Sequence, residues 1–215
     1  MDRSRIGIVI PALNESASIV SVVTAANAFG VPIVVDDAST DATAELAARH
    51  GATVVSHKNV RGYDGALNSG FSKAAEIGCE AIITIDADGQ HDPSLIRRFL
   101  DALEADADVV VGVRSRRQRL AEHMFAWYTS RRYGITDPLC GMKAYRTAVF
   151  KALGHFDSYK SIGTELAIFA ARRGYRLAQV PFDVRDRKGS PRFGRALSGN
   201  VKIIRAMILT AWHSR

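Results

Sequence analysis

Short apolar runs alternate with longer segments whose apolar residues recur every three to four positions, and this rhythm repeats along the first half of the chain. Residues 6–10 and 31–35 are β-branched runs that stop where polar and turn-forming residues begin, the pattern of strands buried on both faces. Residues 53–56, 81–85 and 108–113 continue the series, and residues 15–29, 41–50, 63–77 and 93–105 between them read as helices. Strands and helices of these lengths in alternation predict an α/β fold with an open, mostly parallel sheet and helices on both faces. Ligands of such sheets gather at the carboxyl ends of the strands. Polar clusters stand at three of those ends, residues 11–15, 36–41 and 86–92.

Beyond Arg114 the rhythm changes. An arginine-rich stretch precedes an aromatic one (Phe125, Trp127, Tyr128, Tyr133), followed by a turn at Asp137-Pro138, a helix-like segment over 162–173 and one more strand over 177–184. Residues 185–195 are basic and contain Gly189, Pro191 and Gly194, which predicts a loop. In the tail, Leu197, Val201, Ile204, Ile208 and Trp212 share the spacing of an amphipathic helix. The ordinary expectation is that this stripe packs on the domain; the alternative is a helix lying on a membrane surface, a partner or a second copy in a homodimer. Lys202 and Arg205 interrupt the tail, and no apolar run approaches the roughly 20 residues of a membrane span.

The chain has 215 residues, 47% hydrophobic and 24% charged, which fits one globular domain with a sizeable core. Its net charge of +7 favours anionic partners. Bases concentrate after Arg114 and paired carboxylates before it, so acids are available for a cation and bases for an anion. Cys79 and Cys140 make neither a disulfide framework nor a zinc pattern. A reducing compartment is expected, and with a charged start leading straight into a strand, the cytoplasm.

The chemistry concentrates at residues 86–93. Here a strand delivers Asp86 and Asp88 into a glycine-containing turn, after which Asp92 and Pro93 open a helix as N-cap and first-turn proline. Capping needs one acid, not a pair projecting from a buried strand. Hard oxygen ligands without nearby cysteine favour Mg²⁺ or Mn²⁺, ions held by one or two carboxylates plus substrate phosphates. A nucleotide diphosphate meets that need. His91 reads more readily as a hydrogen-bonding support than as a ligand. Asp36 and Asp37 repeat the device after the second strand, where an acid can accept from a ribose hydroxyl or a base N–H, with Asp37 the stronger candidate; Asp41 reads as a helix cap.

Together these residues resemble the inverting nucleotide-sugar glycosyltransferases of the GT-A fold, glycosyltransferase family 2, particularly the polyprenyl-phosphate branch that includes dolichol-phosphate mannose synthases. Val9-Ile10-Pro11-Ala12-Leu13-Asn14-Glu15 is similar to the family's opening nucleotide motif, Val35-Asp36-Asp37-Ala38-Ser39 to its second, and Asp86-Ala87-Asp88-Gly89-Gln90 to its metal motif. Arg61-Gly62-Tyr63, with Ala66, Asn68 and Gly70, resembles the helix opening beside the donor. Each match is modest alone; four in order and spacing are specific. The resemblance implies a GT-A catalytic domain over residues 1–195, with a nucleotide-binding half to residue 114, an acceptor-side half from 115, and the amphipathic helix over 196–215.

It also implies roles. Pro11, Ala12, Asn14, Glu15, Asp37 and Arg61 would contact the donor, Asp86 and Asp88 the diphosphate and metal, Gln90 the metal's surroundings and Arg114 the pyrophosphate. Arg187, Ser190 and Arg192 would belong to a basic loop closing over the departing diphosphate, where a cation and arginines stabilise accumulating charge. The implied donor is a nucleotide-diphosphate sugar with uridine, guanosine, cytidine or thymidine as base left open. The implied acceptor is a polyprenyl phosphate or a lipid-linked or cell-surface glycan, and no nucleic acid is implied. A sugar hydroxyl needs a base and a lipid phosphate does not; Asp137 and Glu165 are the candidate bases, although Glu165 suits a helix-surface ion pair equally well. Branch members often carry membrane helices after the catalytic domain, whereas here the amphipathic tail follows, so work at the inner membrane face by a peripheral protein is one expectation.

Three other readings explain less. A phosphoacceptor receiver domain shares the acidic clusters but leaves the basic second half unexplained. A sugar nucleotidyltransferase would carry a Gly-rich basic loop after the first strand, where residues 11–16 stand instead. A non-enzymatic membrane-associated module would not need the intact acidic motifs.

Overall fold

A computed structural model describes residues 1–89, 94–117, 119–183 and 196–213, with the backbone alone at 196–198. The described residues form one seven-stranded sheet from β1 (Ile6–Ala12), β2 (Val31–Asp36), β3 (Thr53–Ser56), β4 (Ala81–Thr84), β5 (Val109–Arg114), β6 (Lys143–Arg146) and β7 (Leu177–Phe182), in the order β3-β2-β1-β4-β6-β5-β7. Only β6 runs antiparallel, pairing with β4 on one side and β5 on the other. The helices are α1 (Ile19–Ala26), α2 (Thr43–Arg49), α3 (Gly62–Glu76), α4 (Leu95–Glu104), α5 (Leu120–Tyr133), α6 (Thr147–Leu153), α7 (Glu165–Arg172) and α8 (Ala196–His213), with a 3₁₀ turn at Arg3–Arg5.

Alternation along the central strands builds a core on each face. Ile6, Ile8 and Ile10 pack with Val22 and Val23 of α1 and Phe99 of α4, while Val9 turns to the opposite face with Leu67 and Phe71 of α3. Gly70 lets α3 lie close: a Cβ there would sit 2.3 Å from Val9 Cγ1 and 3.1 Å from Val35 Cγ2. From β1 the chain steps outward to β2 and β3, then returns to place β4 on the other side of β1. That reversal puts the ends of β2, β1 and β4 side by side and opens a crevice at their carboxyl ends.

The structure corrects three expectations. The sheet gains β6, a stretch to which the sequence pattern assigned no element, and α5 and α6 occupy stretches that carried no clear helical pattern. α1 begins at Ile19 rather than residue 15, because residues 14–16 are tied across to the turn after β2: the Glu15 amide donates to Thr43 Oγ1 at 2.8 Å and the Ser16 amide to Asp41 Oδ2 at 3.1 Å. The tail stripe does not pack on the domain. α8 buries Ile203, Ala206 and Thr210, and Ile203 and Ala206 pack on Ala121 and Phe125 of α5. Val201, Ile204, Ile208 and Trp212 lie on the exposed side. Among the described residues no helix is long and apolar enough to cross a membrane.

Candidate functional site

The crevice is built from three turns. After β1, Asn14 adopts a left-handed backbone (φ 53°), and after β2 Ala38 does so at 65°. Such a conformation is uncommon for alanine and marks a turn held by its surroundings. The two turns are laced together: the Asn14 amide donates to Ser39 Oγ at 2.9 Å and Asn14 Oδ1 accepts from the Thr40 amide at 2.8 Å. Asp41 joins them from below. Although partial burial opposes its charge, the hydroxyls and amides of Thr43 and Ser16 bring its carboxyl down to about 2. Asp41 is the local anchor foreseen as a cap, but its partners include the first turn as well as the helix.

Of the residues expected at the donor, Pro11 and Ala12 end β1. Ala12 sends its methyl into the core and its carbonyl accepts from the Asp37 amide at 2.8 Å. Asp37 is buried and its carboxylate is heavily engaged. Oδ1 accepts from the Arg61 amide at 2.8 Å and Oδ2 from the Gly62 amide at 2.7 Å, the first amides of α3. His57 Nδ1 lies 2.7 Å from Oδ1, and its Nε2 is 2.8 Å from Ser69 Oγ. Asp37 therefore caps α3 from outside, where a carboxylate meets both free amides and the positive end of the helix dipole. Asp36, buried beside it, accepts one bond from the Ser39 amide at 3.3 Å. Arg61 keeps an exposed side chain at the crevice, and Glu15 accepts from Ser18 Oγ at 3.1 Å.

The Asp86 and Asp88 carboxylates stand half-buried just beyond β4. Gly141 adjoins them: a Cβ there would lie 2.4 Å from Asp86 Oδ2 and 2.9 Å from Oδ1. The missing side chain leaves the Asp86 carboxylate its space. Two hard-oxygen donors one residue apart at a strand end fit Mg²⁺ or Mn²⁺ completed by phosphate oxygens, and among the described residues no third acid, histidine or cysteine joins them in a cluster. Gln90, along with His91 and Asp92, lies outside the described residues.

A second layer went unread in the sequence. Tyr63, Asp64, Lys143 and Asp157 surround the loop 158–164. Burial raises the Asp64 carboxyl to about 6, with the Asp157 charge adding to the effect, and its Oδ1 is buried without a hydrogen-bond partner. Burial, then the charges of Asp86 and Asp64, pushes the Tyr63 hydroxyl well above the usual phenol range. Lys143 Nζ donates to the Gly163 carbonyl at 3.0 Å, and burial lowers its ammonium below the ordinary range. Asp157 accepts the Ser161 amide at 3.0 Å and the Gly163 amide at 3.2 Å. Ile162, β-branched, is held at φ 59° in that loop. The available signal was Asp64 in the first turn of α3, an acid where helices accept acids anyway.

The two candidate bases are not free carboxylates. Asp137 is 1% exposed and receives Arg114 Nε and Nη2 at 2.8 Å each. Arg114, proposed for the pyrophosphate, is thereby committed, with Glu122 Oε2 a further 3.5 Å from Nη2. Glu165 opens α7 and receives His155 Nε2 at 2.8 Å, the Ser158 amide at 2.5 Å and Ser158 Oγ at 2.9 Å. The partner is a histidine and a turn, not the nearby arginine that the helix-surface alternative named. Arg187, Ser190 and Arg192 lie outside the described residues.

Residues 7–154 match the family model described as glycosyl transferase family 2. The chain belongs to this family. The family 2 chain is 32% identical over 180 residues to the undecaprenyl-phosphate mannosyltransferase of Micrococcus luteus, covering 73% of this chain and 72% of that one. It is 31% identical over 169 residues to the dolichyl-phosphate hexose transferase of Haloferax volcanii, covering 73% and 71%. Among solved structures, glucosyl-3-phosphoglycerate synthase from Mycobacterium tuberculosis in complex with Mn²⁺, uridine diphosphate and glucosyl-3-phosphoglycerate shares the fold. The TM-score is 0.73 with 24% identity, over 98% of this chain and 79% of that one. This protein is thus a GT-A-fold glycosyltransferase.

Proposed function

We propose that this glycosyltransferase moves a sugar, with inversion, from a nucleotide-diphosphate donor to a polyprenyl phosphate, using Mg²⁺ or Mn²⁺. The observation that carries the acceptor assignment is the engagement of both candidate bases: Asp137 by Arg114, and Glu165 by His155 and Ser158. A hydroxyl acceptor calls for a base free to take its proton, the role for which Asp137 and Glu165 were the candidates, whereas a phosphate monoester is already a nucleophilic anion. Relatives named for undecaprenyl and dolichyl phosphate support the same reading.

In this reading an acceptor phosphate oxygen attacks the anomeric carbon as the bond from that carbon to the diphosphate breaks, and the electron pair leaves with the nucleotide. Asp86 and Asp88 would hold the metal, Gly141 leaving room for the Asp86 carboxylate. When bound, the cation supplies positive charge to the departing diphosphate. The turns carrying Asn14, Glu15 and Asp36 to Asp41 form the nucleoside side of the crevice, and Asp37 fixes the start of α3 beside it. Gln90 in the metal's surroundings, and Arg187, Ser190 and Arg192 over the diphosphate, complete the site as proposed from their motifs. The work is done at the cytoplasmic face of a membrane, where a lipid phosphate is presented.

Calorimetric titration with UDP, GDP and CMP, each with and without Mn²⁺, tests the donor half. Binding of one nucleotide that strengthens with Mn²⁺ is expected; binding of none, or binding indifferent to the metal, overturns it. Transfer of labelled sugar to a polyprenyl phosphate, against a soluble glycan as competitor acceptor, tests the other half.

A further inference from the structure

Helices α5 and α8 are each apolar on two opposite sides. Their inner sides meet through Ala121, Phe125, Ile203 and Ala206. On the outer side of α5, Leu120 is 75% exposed and Trp127 66%; on that of α8, Val201 is 65% exposed and Trp212 69%. At 100° per residue, Leu120, Met124 and Trp127 fall on one line of α5, and Val201, Ile204, Ile208 and Trp212 on one line of α8, each opposite its buried line. A groove between the helices is lined by His123, Met124, Trp127, Tyr128 and Met207. Trp127 and Trp212 are the only tryptophans in the chain, and both are spent on this exterior.

The charge around this face is one-sided. Residues 1–114 carry 16 acids against nine bases, residues 115–215 six acids against 20 bases. Within the described parts of α5 and α8 the one acid, Glu122, is buried, whereas Arg131, Arg132, Lys202 and Arg205 are exposed. Arg131 stands 5.9 Å over the Trp127 ring. Interfacial tryptophan, a continuous aliphatic line and flanking bases match a leaflet with anionic headgroups.

We propose that the outer faces of α5 and α8 together form a docking surface for an anionic lipid leaflet, seated by Trp127 and Trp212. The surface is coupled to the site. Leu139 and Ile162 pack beneath the α5–α8 contact, and Gly141, two residues after Leu139, adjoins the Asp86 carboxylate. Docking therefore brings the acceptor side of the crevice to the membrane. The purpose of the surface rests on the polyprenyl-phosphate reading, but its evidence does not.

Because both tryptophans lie on this face, the intrinsic fluorescence of the full chain reports it directly. With vesicles of equal parts phosphatidylcholine and phosphatidylglycerol, a blue shift and quenching by brominated acyl chains are expected, both weakened by salt and small on phosphatidylcholine alone. Ile204→Asp with Ile208→Asp should lower vesicle affinity by about tenfold or more, while Mn²⁺-dependent nucleotide binding stays at the level of the unaltered chain. Unmoved emission on the anionic vesicles overturns the proposal, and reads on the native chain even if the double variant fails to fold. So does sedimentation without lipid as a dimer that the double variant converts to monomer, which assigns the face to a second copy. In the unaltered chain, absent vesicle binding with intact nucleotide binding sinks the docking surface alone, whereas absent nucleotide binding sinks the enzymatic reading.

Discussion

Arg114 grips Asp137 through two parallel bonds, Nε to Oδ2 and Nη2 to Oδ1, each 2.8 Å, while the Arg114 backbone amide adds a third at 3.1 Å. The pair joins the end of β5 to the turn before β6. Burial opposes the Arg114 charge, yet the Asp137 partnership raises its guanidinium above its ordinary range. Planar fork on planar carboxylate is the strongest geometry open to such a pair. Asp137→Ala would leave the guanidinium buried without its partner. A loss of about 3–5 kcal/mol in chemical denaturation is expected, with turnover per folded molecule largely retained. A drop in kcat of a hundredfold with unchanged stability would make Asp137 the base after all.

Asp88→Ala should abolish metal-dependent donor turnover and leave unfolding cooperative, since the carboxylate is half-exposed beyond the end of β4. Nucleotide titration with and without Mn²⁺ checks it. Retained metal-dependent binding would mean that the motif has been assigned the wrong task.

Gly141→Ala separates space from charge. The added methyl meets the Asp86 carboxylate first, at the end of a side chain that can turn aside at little cost to the fold. Thermal stability should hold, while Mn²⁺-dependent nucleotide affinity falls by roughly tenfold as Asp86 leaves its position, about 1.4 kcal/mol. Equal affinity would show that Asp86 does not reach the metal.

Much of this was legible because the first half of the chain is locally consistent. The runs at Ile6–Ala12 and Val31–Asp36 are long, β-branched and ended by polar residues, so strands and crevice follow from pattern alone. The second half is not. Lys143–Arg146 is a four-residue strand with charged ends, strand-forming only because β4 and β5 pair with it on both sides. α5 is apolar on both its inner and outer faces, which erases the one-sided signature of a helix. The same two-sidedness misdirected the tail, where the visible stripe of Val201, Ile204, Ile208 and Trp212 faces outward and Ile203, Ala206 and Thr210 do the packing. At the site, sequence located the acids but not their partners. Whether Asp37 meets a ligand or two helix amides depends on where Arg61 and Gly62 lie in space.

Asp37→Ala tests that second point. It removes a charged acceptor from the Arg61 and Gly62 amides and from His57, each within 2.8 Å. Hydrogen bonds to charged groups contribute about 1.5–3 kcal/mol, so a destabilisation of roughly that size is expected, concentrated in the first turn of α3. Hydrogen exchange should show the Arg61 and Gly62 amides losing protection ahead of the sheet. Unchanged protection with lost nucleotide binding would instead make Asp37 a ligand contact alone.

Asp64 gives a pH dependence of definite sign. Its folded carboxyl is raised from 3.8 to about 6, so the folded state holds this proton more tightly than the unfolded chain does. That contribution to stability is fully present below about pH 4 and is lost as pH rises toward 6, beyond which the ionised group weighs on the fold. That rise corresponds to roughly 3 kcal/mol. Asp64→Asn keeps the shape, cannot ionise and leaves Asp157 without a like charge beside it. The variant should therefore match the unaltered protein near pH 4 and exceed it in stability by up to roughly 3 kcal/mol at pH 8, read by denaturant unfolding at both values. A variant less stable than the unaltered protein at pH 8 would mean that the ionised Asp64 is satisfied by partners, and that its buried Oδ1 is not the burden the geometry makes it.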